Sequence, residues 1–245
     1  MIRGLLYWSG GLLLTLLLMI PFYLLLPLYK KYPDLPHRYI GFWARLIVRV
    51  FYGSHIELSG QEHIEPGQQY IIVSNHRSYT DILFAHASVR LQFRWLAKTS
   101  LFRIPLFGSS MKVAGYIPVE RTKYISASRS LEQVKEVLSK GRSVWIFPEG
   151  TRTPRDELGK FKRGAFLIAK ETGSPLLPVV LVNTDLIFTR PYVIKPKSVK
   201  VVVLSPVTYS DFTGKGMSER EIMEACARYI RNKIQLQYNA HVTHH

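Results

Sequence analysis

The sequence predicts an α/β fold: a sheet covered by helices, preceded by an N-terminal membrane-embedding helical segment. Three observations carry that reading. Residues Gly4 to Tyr29 form a run with no charged side chain. From about Gly53 onward, short β-rich runs alternate with helical runs, the pattern of a sheet with helical crossovers. The chain of 245 residues is 47% hydrophobic and 20% charged, which gives it a core of good size and excludes global disorder.

In chain order, the leader comes first. Its 26 uncharged residues exceed the ~20 that a helix needs to cross a bilayer. Pro21 and Pro27 interrupt it, and proline bends or breaks a helix. Two arrangements stay open: one tilted, kinked span, or two shorter helices in one leaflet. A cleaved signal peptide fits less well, because the apolar run is long and ends in Leu28-Tyr29-Lys30-Lys31, without a small-residue cleavage site. Next, His37 to Tyr52 places Arg38, Arg45 and Arg49 on one narrow stripe of a helix beside a broad apolar face with Trp43. That suits an interfacial helix, and equally a helix packed on the core. Lys30, Lys31 and the three arginines outnumber Arg3 on the other flank, so the rest of the chain is expected on the cytoplasmic face of the membrane. Residues 1–52 are read as membrane-associating helices and 53–245 as an α/β domain.

Within that domain, strands are expected near His55–Leu58, Tyr70–Ser74, Phe93–Ala97, Tyr116–Val119, Ser143–Phe147, Leu176–Val182 and Val199–Leu204. Helices are expected near Tyr79–Val89, Tyr124–Ser139, Gly164–Glu171 and Ser218–Tyr238. There is one cysteine, Cys226, so no intrachain disulfide forms and a cysteine-based zinc site is excluded. Lys and Arg number 33 against 17 Asp and Glu, a formal charge of +16. This predicts anionic partners without choosing among them.

Four segments carry chemistry. Asn75-His76-Arg77-Ser78-Tyr79-Thr80-Asp81 directly follows an apolar strand, where α/β proteins place active-site residues. In this H-x4-D spacing His76 suits a general base and Asp81 the carboxylate that orients it. Ser78-x-x-Asp81 also reads as a helix cap with an acidic third residue. Phe147-Pro148-Glu149-Gly150-Thr151-Arg152 follows a second strand. Gly150 permits close backbone approach, and Arg152 offers a planar fork for phosphate; the plain alternative is a polar turn. Gly115-Tyr116-Ile117-Pro118-Val119-Glu120-Arg121 ends a third strand in arginine. Between Asp81 and Tyr124 there are seven Lys or Arg, including Lys98, and one acid, Glu120. Ser174-Pro175-Leu176-Leu177-Pro178 opens an apolar strand.

Together and in this order, H-x4-D, G-x-I-P-V-x-R, F-P-E-G-T-R and the proline-containing strand resemble the glycerolipid acyltransferase family, over roughly Tyr70 to Val182. The resemblance implies a mixed sheet and a reaction. An acyl chain passes from a thioester of acyl carrier protein or coenzyme A to the free hydroxyl of lysophosphatidate, giving phosphatidate. His76 is then the base and Asp81 its orienter. Lys98, Arg121 and Arg152 bind the acceptor phosphate. Glu149, Gly150 and Thr151 form the acceptor loop, with the Gly150 amide a candidate oxyanion donor, and Pro178 shapes the acyl-donor side. The implied partners are a phospholipid membrane, lysophosphatidate and the acyl thioester. No cofactor beyond that co-substrate and no metal is implied.

Rival readings are weaker. No G-x-S-x-G occurs, so a serine hydrolase lacks its nucleophile elbow. Cys226 lies in an expected C-terminal helix far from the motifs. His76 and Asp81 have no further ligand at metal-site spacing. The basic charge suits nucleic acid, but no binding motif accompanies it and the apolar leader argues against it. A lipid-binding protein without turnover stays open, as does an acyltransferase for glycerol 3-phosphate, a lysophospholipid or a lyso-aminolipid. The sequence leaves acyl length, donor carrier and oligomeric state undetermined.

Overall fold

The computed structural model describes residues 2–120, 124–153, 157–190, 193–194, 197–213 and 216–242. Its helices are α1 (Ile2–Leu24), α2 (Leu26–Lys31), α3 (Leu35–Ile47), α4 (Asp81–Ser88), α5 (Phe107–Val113), α6 (Tyr124–Ser139), α7 (Gly164–Thr172) and α8 (Glu219–His241). Its strands are β1 (Ile56–Ser59), β2 (Ile71–Ser74), β3 (Phe93–Lys98), β4 (Ile117–Val119), β5 (Ser143–Ile146), β6 (Leu176–Val182), β7 (Phe188–Arg190), β8 (Val193–Ile194) and β9 (Val199–Val203).

Seven strands form one mixed sheet in the order β1-β9-β6-β2-β5-β3-β4. β6, β2, β5, β3 and β4 run parallel, and β9 meets β6 antiparallel. β2 is buried at all four positions, as a strand covered on both faces must be. Alternate side chains enter two cores. Ile72 and Trp145 join one with Phe84 of α4 and Ile47, Val48 and Tyr52. Ile71, Val73 and Val144 join the other with α6, α7 and α8. The helical segment before β1 therefore shares a core with the sheet.

All seven expected strands form, with ends shifted by no more than one residue. The helices differ more. α4 begins at Asp81, two residues later than expected. Ser78 Oγ accepts from Thr80 N (3.2 Å) and does not cap, so only the acidic half of the expected box exists, Ser78 N donating to Asp81 Oδ2 at 2.9 Å. At α8 a complete capping box between Ser218 and Glu221 fixes the start. The expected His37–Tyr52 helix is α3 followed by a π-helical turn, Val48–Tyr52. α5 was not expected. Its Phe107-Gly108-Ser109-Ser110 start has poor helix propensity, and tertiary packing sets it: a Cβ at Gly108 would stand 2.3 Å from Phe102 O.

α1 runs through Pro21 and ends at Leu24. Trp43 Nε1 donates to Thr15 Oγ1 (3.1 Å) and Tyr39 Oη to Leu18 O (2.7 Å), fastening α3 along α1. Among the described residues no helix is long and apolar enough to cross a membrane.

Under α3 lie two buried histidines. His37 Nε2 bonds Leu91 O at 3.2 Å, and His86 Nε2 accepts from Trp95 Nε1 at 2.7 Å. Burial and the nearby Arg94 push the His37 pKa down to about 3, and burial holds His86 well below its usual range. Both stay neutral in the fold, while the unfolded chain protonates them near pH 6.5. Their stabilisation is thus present above that pH and lost as the pH falls towards the folded values. His37 alone is expected to cost about 2 kcal/mol of stability by pH 5, with His86 acting in the same direction. Urea melts at pH 7 and pH 5 check this, and His37→Phe should flatten the difference.

Candidate active site

β2, β5, β3 and β4 are sheet neighbours running the same way, so their carboxyl ends share one edge. His76 follows β2, Phe147 follows β5, and Lys98 ends β3 at an exposed position. Motifs spread over half the chain meet there for a topological reason. Arg121, two residues past β4, lies outside the described residues.

The H-x4-D loop turns around a buried carboxylate. Asp81 is fully buried, and its Oδ2 accepts from His76 Nδ1 (2.7 Å), Arg77 N (2.7 Å) and Ser78 N (2.9 Å). Charge-assisted bonds of this kind offset the loss of hydration. The carboxylate only accepts, so His76 carries its proton on Nδ1 and presents the Nε2 lone pair. The imidazole stacks on Phe147, centroids 4.0 Å apart and 12° from parallel, and Phe147 stacks on Trp95. Asn75 holds the loop to β6: its Nδ2 donates to Leu181 O and Leu181 N donates to its Oδ1, both at 2.8 Å.

The second loop braces the first. Glu149 is buried. Its Oε1 accepts from the His76 amide (2.8 Å), and its Oε2 from Gly159 N (2.8 Å) and from the Thr153 hydroxyl. Its carboxylate therefore positions His76 from within rather than facing an acceptor. Thr153 N closes the junction on His76 O at 3.1 Å. Arg77, also buried, donates to Glu157 O (3.0 Å) and lies over the Tyr238 ring at 4.7 Å, tying the site to α8.

Gly150 does not serve as expected. Its amide donates to Phe147 O at 3.0 Å, closing the turn that Pro148 starts, and so is not available to an oxyanion. Its φ of +72° explains the glycine. A side chain there would also come within 2.9 Å of Lys162 Nζ. Thr151 is exposed. Arg152 lies over the ring of exposed Tyr79, 3.4 Å from its centroid, so the guanidinium stands beside the H-x4-D loop. Pro178 is buried in β6 opposite Val73. Among the described residues no cluster of three metal-ligating side chains occurs.

The structure thus brings together His76, Asp81, Glu149, Gly150 and Arg152, with Lys98 on the same edge. Sequence reasoning gives no role to Asn75, Arg77, Phe147 or Tyr79. The signal for Asn75 and Arg77 was their place inside the motif, but their partners, Leu181 and Tyr238, lie far along the chain.

A family model described as Acyltransferase matches residues 55–182. A chloroplastic 1-acyl-sn-glycerol-3-phosphate acyltransferase of Arabidopsis thaliana is 34% identical over 190 residues, covering 76% of this chain and 52% of that protein. A 1-acyl-sn-glycerol-3-phosphate acyltransferase of Borreliella burgdorferi is 37% identical over 138 residues, covering 56% and 55% respectively. The chain spans about half the length of these relatives. The crystal structure of the 1-acyl-sn-glycerophosphate acyltransferase of Thermotoga maritima aligns with a TM-score of 0.68 and 24% identity over 94% of this chain and 97% of that one, a likeness of fold.

Glu149→Gln should lower stability by about 1–3 kcal/mol, because the amide nitrogen that replaces one oxygen of this buried carboxylate cannot accept the N–H bonded there. Denaturant unfolding measures this, and an unchanged midpoint would remove the bracing role.

Proposed function

The chain belongs to the acyltransferase family, and from that premise we propose that it transfers an acyl chain from a thioester to the free hydroxyl of lysophosphatidate, giving phosphatidate for phospholipid synthesis. The observation that carries this is the 2.7 Å bond from His76 Nδ1 to buried Asp81. It leaves Nε2 as a fixed base at the carboxyl end of the central strand.

The acceptor hydroxyl oxygen attacks the thioester carbonyl carbon as Nε2 takes its proton. The negative charge of Asp81 stabilises the imidazolium. The tetrahedral intermediate collapses, the C–S bond breaks, and the proton passes to the leaving sulfur, so no acyl-enzyme forms. Arg152, Lys98 and Arg121 hold the acceptor phosphate, and Lys162 beside Gly150 adds a further cation. The donor is acyl carrier protein or coenzyme A, both anionic and attracted to a chain of +16.

Residues 1–52 serve as the membrane-associating part and 53–245 as the acyltransferase domain. Leu12, Leu13, Leu16, Leu17, Ile20 and Leu24 of α1 are exposed. Ile104, Leu106 and Phe107 are exposed as well, and Tyr23 Oη donates to Leu106 O at 2.7 Å. The 104–107 loop and α1 make one apolar surface, seated in one leaflet. Since that loop follows β3, the surface and His76 sit at the same edge. The flanking Lys30, Lys31 and arginines favour the cytoplasmic face.

In detergent, with lysophosphatidate and either thioester, phosphatidate should form, and His76→Ala should lower kcat by at least ~10²-fold. The faster donor identifies the carrier. Arg152→Ala should raise KM for lysophosphatidate more than for a zwitterionic lysolipid. Absence of product with both donors would overturn the assignment. On vesicles, Leu13→Glu and Leu17→Glu should each weaken flotation about tenfold or more, the scale of one buried leucine.

A further inference from the structure

An open cleft of about 1060 Å³ lies at the other end of α4 from Asp81, roughly 12 Å of helix away. Its walls come from α3, the end of α4 and β1. Arg38, Arg45 and Arg90 line it, all exposed, and no carboxylate is among its lining residues. None of the three has an acidic partner among the described residues, whereas the neighbouring Arg94 and Arg142 share Asp34. Half-buried Ile56 and Leu58 add an apolar wall.

His86, also in the wall, supplies an independent sign of a ligand. The Trp95 indole only donates, so His86 Nε2 is the acceptor of that bond and the neutral ring carries its proton on Nδ1. That N–H is buried and has no acceptor among the described residues, which is costly unless something supplies one; His37 Nδ1, on a ring whose centroid is 4.9 Å away, is unpartnered as well. Gly41 packs between α4 and the Arg45 side chain. A Cβ there would stand 3.4 Å from His86 O and 3.5 Å from Arg45 Nη1, so Arg45 folds over the glycine towards α4.

We propose that this cleft is a second, non-catalytic phosphate site that takes the headgroup of an anionic phospholipid. Three uncompensated guanidinium groups and an orphan N–H suit phosphate oxygens, and they outweigh the partial negative charge at the end of α4. The apolar wall suits the glycerol and upper acyl carbons rather than a free ion. The position agrees: at 100° per residue, exposed Phe42 lies on α3 between the arginine stripe and Tyr39 and Trp43, which meet α1. The cleft thus opens on the flank that leads to the exposed leucines of α1. This inference does not require the acyl-transfer reading.

The test uses the full chain in non-ionic detergent micelles with no acyl donor. Phosphatidylglycerol, phosphatidylcholine or inorganic phosphate is titrated in. The nitrogen-15 signal of His86 Nδ1 is followed, assigned by its loss in His86→Gln. Phosphatidylglycerol should shift it saturably and phosphatidylcholine should not. The double variant Arg38→Gln/Arg45→Gln should weaken the apparent affinity at least tenfold. Arg49→Gln, on the same stripe but outside the cleft, should change it by no more than about twofold. These arginines are exposed and unpaired, so the variants should fold. A shift that never saturates, or equal weakening by Arg49→Gln, would reduce the site to diffuse surface charge and overturn it. Inorganic phosphate binding as tightly as phosphatidylglycerol would overturn the lipid as occupant.

Discussion

A carboxylate with no solvent exposure has to find its donors inside the protein, and Asp81 finds three on one oxygen. Two are backbone amides, which forces residues 76–78 to wrap around the first turn of α4. The third is His76 Nδ1, which fixes the imidazole tautomer. One buried charge therefore decides the path of the loop, the start of the helix and the identity of the basic nitrogen. Glu149 repeats the device one strand away, with one oxygen on the His76 amide and the other on Gly159 and Thr153. The His76 imidazole is held by two acids that themselves face inward, and the cations are left to face outward.

The sheet was legible because its strands are short apolar runs bounded by polar turns, and β2, β5 and β6 are buried on both faces. The H-x4-D pairing was legible because its members lie on one loop. What sequence missed depended on distance along the chain. Nothing local to Asn75 points to Leu181, and nothing local to Arg77 points to Tyr238. The Gly150 amide was misjudged for a related reason. A glycine after Pro-Glu permits either an open anion cradle or a closed turn, and the closed turn wins through the 3.0 Å bond to Phe147 O. α5 went unseen because its propensity opposes it and packing under Phe102 imposes it.

The charge of +16 is not one feature. Arg77, Arg94 and Arg142 are structural, with carbonyls, an aromatic ring or Asp34 as partners. Arg152, Lys98 and Lys162 stand at the carboxyl edge of the sheet. Arg38, Arg45 and Arg90 ring the cleft below α3. In the first set, Arg94 and Arg142 offset their desolvation through Asp34, while Arg77 does so only in part, bonding through Nη1 alone. The other two sets keep their charge free for anions, which is what separates a binding cation from a packing one.

The two free sets lie at opposite ends of α4, yet the same apolar surface serves both. α1 is fastened to α3 by Trp43 and Tyr39, and α3 forms one wall of the cleft. α1 also reaches the 104–107 loop through Tyr23, and that loop grows from β3, whose end carries Lys98. On the proposed membrane seating, a surface fixed to both ends of the domain would set its tilt as well as its height on a lipid layer. An anionic headgroup held under α3 would add a polar contact to that apolar one, and two separated contacts restrain rotation where one does not. On that seating the orientation of His76 towards the interface would follow from attachment at the far side of the fold, without any contact between the two sites.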